Sequence, residues 1–286
     1  MQWREIIYQY DGSFDGFLCC VYESYTQKES PTAIICDGDD EPSLFEIRAV
    51  MTDHAHAQRV YRSFLKISPG VGLFLRRVFL TCMDDKEMAM YRFVVKLYRE
   101  GAPLLMRLGD ETYHPLRKAV RHLSGEAEAL RGFVRFSELS GILGAEIEPK
   151  NRVLPLLRSH FCDRYHNESF FVYDRTHHEA LLYSGGVSRI VPLEHFKMAP
   201  PDENEANYRR LWRRFYDTIA IRERENLKLC QSNLPKRYRN TMTEFQGEAY
   251  FTARTQGEAA ASPMPGAPGA IPAPEKPTKS APSAPA

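Results

Sequence analysis

The chain has no stretch near the ~18 uninterrupted apolar residues that a spanning helix needs, so no membrane-crossing segment is expected. Cysteine is sparse, at positions 19, 20, 36, 82, 162 and 230, and no two form a CxxC pair. That excludes a disulfide-dense secreted scaffold and the usual iron–sulfur and zinc-ribbon spacings, and makes a reducing cytoplasm the expected compartment. Charge of one sign is lacking too. The 38 Lys plus Arg stand against 37 Asp plus Glu, a formal net charge of +1. A protein that coats nucleic acid by bulk positive charge is thereby excluded. The opening MQWREIIYQYDG carries charge where a signal peptide has its apolar run. There is no P-loop, no G-x-S-x-G and no internal repeat.

What is present is the profile of a soluble globular protein, 286 residues with 43% hydrophobic and 26% charged. From Gly247 the composition shifts to Pro, Ala, Gly and Ser, which bury too little apolar surface to offset ordering entropy. The expected division is an N-terminal strand–helix unit with a helical layer over 1–131, a small sheet domain with C-terminal helices over 132–246, and a disordered tail or linker over 247–286. The expected class is α+β.

The periodicity supports that division. Arg4 to Tyr10 reads as a strand, Ser13 as a helix cap, and Phe14, Phe17, Leu18, Val21, Tyr22 and Tyr25 as one helical stripe. Leu44 to Val50 reads as a second strand. Four helices follow, marked by Val60/Phe64/Ile67, Phe74/Val78/Phe79, Met90/Phe93/Val94/Leu97 and Leu116/Val120/Leu123. After Gly132 the period becomes two. Phe133 to Phe136 and Ala145 to Ile147 bracket a turn, Val153 to Tyr165 is helical, and three strands follow to Val191. An antiparallel sheet with one packed helix is expected, closed by a long helix from Glu205 to Leu229 and a short one at Lys236 to Arg239.

Chemistry-bearing residues are scattered. His160, Cys162, Asp163 and His166, with Asp174, His177 and His178 beyond the next strand, form the nearest approach to a ligand cluster; a satisfied polar corner uses the same residues, and no metal is expected. Ser13, in a tight strand-to-helix turn, is explained as a cap without invoking a nucleophile. Ser68-Pro69-Gly70-Val71-Gly72, followed by Arg76 and Arg77, fits either a phosphate-binding hairpin or a plain helix–helix turn. Arg152, Arg158, Arg164 and Arg175 interleave with acids and read as a salt-bridged network or a binding site. The strongest charge signal lies between Glu205 and Glu244, where ten Lys/Arg meet five acids. Arg210, Arg213 and Arg214 share a helix face, Asp217 is placed to pair with Arg213 or Arg214, and Tyr216 and Tyr238 are placed to stack on bases. Arg210, Arg213, Arg214, Arg222, Lys236 and Arg237 are therefore the candidate nucleic-acid contacts.

Three blocks in order resemble a family of bacterial proteins of unknown function that carry a DNA-metabolism or DNA-repair label. The first is Phe133-Val134-Arg135-Phe136 with Ile147-Glu148-Pro149-Lys150-Asn151 and Leu154-Pro155-Leu156-Leu157. The second is His160-Phe161-Cys162-Asp163-Arg164-Tyr165. The third is Leu211-Trp212, Ile219 to Arg224 and Leu234-Pro235-Lys236-Arg237-Tyr238, and the opening Tyr10 to Phe17 is similar as well. The resemblance implies a radical SAM protein with a DNA-binding region as partner, since members are encoded beside one. It also implies a relation to a domain that precedes a uracil-DNA glycosylase-like domain in longer chains. It assigns no catalytic residue and no cofactor. The expected function is an accessory protein of DNA repair or modification, with DNA and the radical SAM protein as partners. Two alternatives stay open: an enzyme acting on nucleic acid with Asp163 or Asp174 as base and His160 or His177 assisting, and a protein-binding scaffold.

Overall fold

The computed structural model describes residues 4–38, 45–219 and 226–245, with all their side chains except those of Tyr216, Asp217 and Leu227. The first strand, β1 (Arg4–Tyr10), ends at Gly12, whose φ of 73° makes the turn. Ser13 then caps helix α1 (Phe14–Gln27), its Oγ accepting the Gly16 N–H at 2.9 Å. Phe17, Leu18 and Val21 bury the inner face of α1, and Lys28 ends it in a left-handed conformation. The chain returns as β2 (Glu29–Cys36), parallel to β1 from Arg4↔Glu29 to Tyr10↔Cys36. Parallel pairing requires such a crossover helix. A short β3 (Ile47–Ala49) pairs with the other side of β1, giving the parallel order β2-β1-β3.

Four helices follow: α2 (His54–Ile67) packs on α1, α3 (Val71–Phe79) on α2, and both α4 (Lys86–Glu100) and α5 (Tyr113–Phe133) on α3, with α4 also reaching β2. Asp53 caps α2, accepting from the Ala55 and His56 amides. Phe64, Leu75, Phe93 and Leu97 are fully buried among them. Burial of each such side chain stabilises by roughly 1.5–3 kcal/mol.

Helix α5 runs through Phe133, and the strand expected at Phe133–Phe136 begins only with β4 (Ser137–Leu139). The second sheet has the order β4-β5-β6-β7-β8, with β5 Ile142–Ile147, β6 Phe170–Asp174, β7 Glu179–Ser184 and β8 Val187–Pro192. Its pairs are antiparallel except β5 and β6, which run parallel. The sheet is therefore mixed, because α6 (Leu154–Arg164) crosses over between those two strands. The fold class is α+β. A second core gathers Leu123 and Leu130 of α5, Leu157 and Phe161 of α6, and Val172 and Leu181 of the sheet.

The C-terminal helices are α7 (Glu203–Ile219), α8 (Leu227–Asn233) and α9 (Lys236–Arg239), followed by a 3₁₀ turn at Thr243–Phe245. Asn226 is extended and caps α8, so the single helix expected to run to Leu229 is divided there. Among the described residues no helix is long and apolar enough to cross a membrane.

Candidate nucleic-acid interface

Helix α7 docks through polar groups. The Arg209 guanidinium donates to Glu205 at 2.7 Å and to the Ser137 hydroxyl at 2.5 Å, while Glu205 accepts the Glu138 amide at 3.3 Å. Glu244 accepts two bonds from Arg135, at 3.2 and 2.7 Å, and one from the Trp212 indole at 3.2 Å. A bidentate Arg–carboxylate fork fixes orientation as well as distance.

The apolar stripe of α7 is correspondingly left in solvent: Tyr208 is 66% exposed, Leu211 61%, Phe215 53% and Ile219 57%. An amphipathic helix usually buries that face. Here the buried contacts of Glu205 and Arg209 take the inner side instead. Arg210, Arg213 and Arg214 are exposed on the same helix. Arg210 donates to Asn207, and Arg213 and Arg214 form no ion pair among the described residues. The expected Asp217 partner and Tyr216 have side chains outside the described set, and Arg222 lies outside the described residues.

The other two candidates separate. Lys236 is exposed at the start of α9. Arg237 turns inward, donating to the Tyr238 hydroxyl at 2.6 Å and lying 3.3 Å from the carboxylate of Glu126, whose side chain is fully buried. Glu126 also accepts the Lys150 and Asn151 amides, at 3.0 and 2.8 Å, and the Asn151 side-chain amide at 2.6 Å. Asn151 in turn meets His122 at 3.0 Å and accepts the Cys82 amide at 3.0 Å.

The His/Asp corner is divided by topology. The β5–α6–β6 crossover sets the C-terminal end of α6, with Asp163, beside the Phe170 end of β6, whereas Asp174 and His177 follow at its far end. Asp174 is fully buried; it accepts the Thr176 and His177 amides and holds His177 Nδ1 at 2.7 Å. His160 Nε2 is buried with no hydrogen-bond partner among the described residues. Among those residues no three His, Cys, Asp or Glu side chains converge as a metal site would require. The arginines of this region are engaged: Arg152 with Glu179, Arg175 with Glu148 at 2.7 Å, and Arg158 with Ser188 at 2.7 Å.

In and after the 68–72 hairpin, Gly72 and Arg76 are engaged in packing. A Cβ on Gly72 would come within 2.6 Å of the Tyr61 ring, and Arg76 lies over the Phe14 and Tyr61 rings at 4.8 and 5.1 Å.

A family model described as a domain of unknown function, DUF4130, matches residues 84–244, more than half of the chain. The chain belongs to that family. The matched DUF4130 region begins just before α4 and ends at Glu244, so it contains Glu126, its partners and the whole of α7. No curated protein matches the sequence significantly. A solved structure of a pGpG-specific phosphodiesterase, PggH from Vibrio cholerae, is similar at 9% identity over 62% of this chain and 81% of that one, with a TM-score of 0.32.

One basic surface lies outside the DUF4130 match and was passed over in the sequence. Helix α2 exposes Arg59, Arg62 and Lys66 on one side and contains no acid between His54 and Ile67. The signal available was that i, i+3, i+7 spacing.

Proposed function

We propose that the protein is a nucleic-acid-associated accessory protein of DNA repair or modification, contacting DNA through α7 and Lys236 and working with a radical SAM partner. One observation carries the DNA contact. Arg213 and Arg214 stand in solvent with no ion pair to any described side chain, that of Asp217 lying outside these, on a helix held from its other side. Guanidinium groups so placed match phosphate oxygens two at a time. Exposed Tyr208 and Phe215 beside them supply faces for bases or for an apolar partner surface. The radical SAM partner rests on the family resemblance of the three sequence blocks.

The experiment is a salt series of duplex and single-stranded DNA binding by the wild type and an Arg213→Glu/Arg214→Glu variant. Supporting results are a log affinity that falls linearly with log salt, and a reversal variant with weaker binding and a slope reduced by about two. The exposed apolar stripe of α7 favours a second reading, a scaffold that docks protein alone. In that case the variant loses the partner protein and the wild type shows no DNA binding at low salt.

A further inference from the structure

Three clefts on the N-terminal half adjoin through shared walls. The central one, about 430 Å³, lies between α1, α2 and α4 and is lined by Tyr22, Tyr25, Arg59, Ser63 and Tyr98. Arg59 and Ser63 also line a second cleft of about 490 Å³ that continues along α2 past Arg62 and Lys66. Tyr25 and Tyr98 also line a third, about 900 Å³, that continues past Arg92, Lys96 and Arg99. The result is one track with aromatic rings at its middle and cations at both ends.

The rings are set in place. Tyr98 bonds the Ser63 hydroxyl at 2.6 Å and stacks on Phe64 at 5.9 Å. Tyr25 meets Tyr98 edge-on at 5.5 Å and remains 40% exposed, and Tyr22 stacks on His56 at 3.9 Å. The cations keep charge to spare. Arg59, Arg62, Lys66, Arg92 and Arg99 form no ion pair among the described residues; Arg62 donates to the neutral Gln58 amide at 3.1 Å, Arg59 lies 5.9 Å over the Tyr22 ring, and Lys96 is held by Asp110 at 2.7 Å. The acids of the track are at its third cleft: Glu100 is bonded to Arg107, Glu111 lies 3.7 Å from Lys96, and Glu5 is on the rim with no ion pair among the described residues.

We infer that this track binds an unpaired nucleic-acid strand, with bases stacked against Tyr25 and phosphates along Arg59, Arg62 and Lys66. A duplex offers no free base faces, whereas a single strand offers one per nucleotide. Charge complementarity alone fits any polyanion; tyrosines between two cationic stretches fit alternating rings and phosphates. The site is independent of α7 and does not require the proposed contact there.

The test uses the full chain with labelled oligothymidylate, oligouridylate and a duplex. Binding of a single strand is expected, and the two single strands show whether DNA or RNA is taken. Arg59→Glu/Arg62→Glu should weaken it by about tenfold or more while leaving the melting temperature unchanged, since both side chains are exposed. Tyr25→Ala should weaken it roughly five- to hundredfold, with Tyr25→Trp restoring it, as stacking requires. Arg59→Glu/Arg62→Glu should leave duplex binding at α7 intact, so loss at the track and loss at α7 are read separately. Unchanged single-strand binding by Arg59→Glu/Arg62→Glu, no binding of either single strand, or equal displacement by polyglutamate would each overturn the inference.

Discussion

Arg237 of α9 lies 3.3 Å from Glu126, a carboxylate buried in the middle of α5, and so ties the last short helix to the longest one. Glu126 is wholly out of water and accepts two backbone amides besides. Removing it leaves those donors unanswered and takes from Arg237 its carboxylate partner, leaving that guanidinium the Tyr238 hydroxyl. Glu126→Ala should cost on the order of 3–5 kcal/mol in urea denaturation. Arg213→Ala, on the open face of α7, should stay within about 0.5 kcal/mol. If both variants unfold at the same urea concentration, the buried network is not holding the C-terminal helices.

The loop after α4 is predicted to be acid-sensitive. The Lys96 ammonium beside Asp110, with the Thr112 hydroxyl, holds that carboxyl well below the usual carboxylate range. A depressed folded-state pKa contributes stability that is present above the unfolded value, about 3.9, and is lost as pH falls through the folded one. Asp110→Asn should therefore melt below wild type at neutral pH, and the gap should close on acidification below about pH 4. A gap that stays constant down to pH 2 would contradict the assignment.

Gly16 sets how closely α1 approaches its neighbours. A Cβ there would meet Asp11 Oδ1 at 2.3 Å, Thr52 Oγ1 at 2.8 Å and the Tyr10 ring at 2.9 Å. Helix propensity favours Ala over Gly by up to about 1 kcal/mol. Overpacking costs about 1–3 kcal/mol, and here it also pushes on the bonds that Asp11 makes to Ser13 and Thr52. Gly16→Ala should be net destabilising by thermal melting despite its better propensity.

Asp174→Ala tests whether the β6–β7 turn is a structural device. It strips partners from two amides and from His177, so a loss of about 1–3 kcal/mol is expected. His177→Ala should be milder and leave nucleic-acid affinity unchanged. An affinity loss in His177→Ala at unchanged stability would place this turn in the nucleic-acid site rather than in the scaffold.

Much of the helical architecture was legible because its apolar residues recur at 3.6. Val60/Phe64 and Phe93/Val94/Leu97 do line buried faces. The capping of α1 by Ser13 was readable from one residue and its neighbours. Strand β2 was not, since Pro31 and Thr32 interrupt its apolar run; it is an edge strand, where a proline is tolerated. The direction of β6 was hidden because periodicity says nothing about which neighbour a strand pairs with. At the candidate site, spacing revealed that Arg213 and Arg214 share an exposed face. It did not reveal that Arg237 is drawn inward, because Glu126 lies more than a hundred residues earlier in the chain. Nor did it show that α7 would turn its polar side to the protein, a choice made by Ser137 and Glu138 on β4.

Helix α5 contributes Leu116 to the first core and Leu123, Ala127 and Leu130 to the second. During synthesis the first core can therefore close when only the front turns of this helix have somewhere to pack. Its rear half waits for the amides of Lys150 and Asn151, and for Arg237 more than a hundred residues later. A nascent chain that has emerged from the ribosome only as far as residues 133 to 150 would carry a helix half docked and half wet. Its rear half, including Glu126, would be the stretch most open to proteases and chaperones until the rest of the chain emerges.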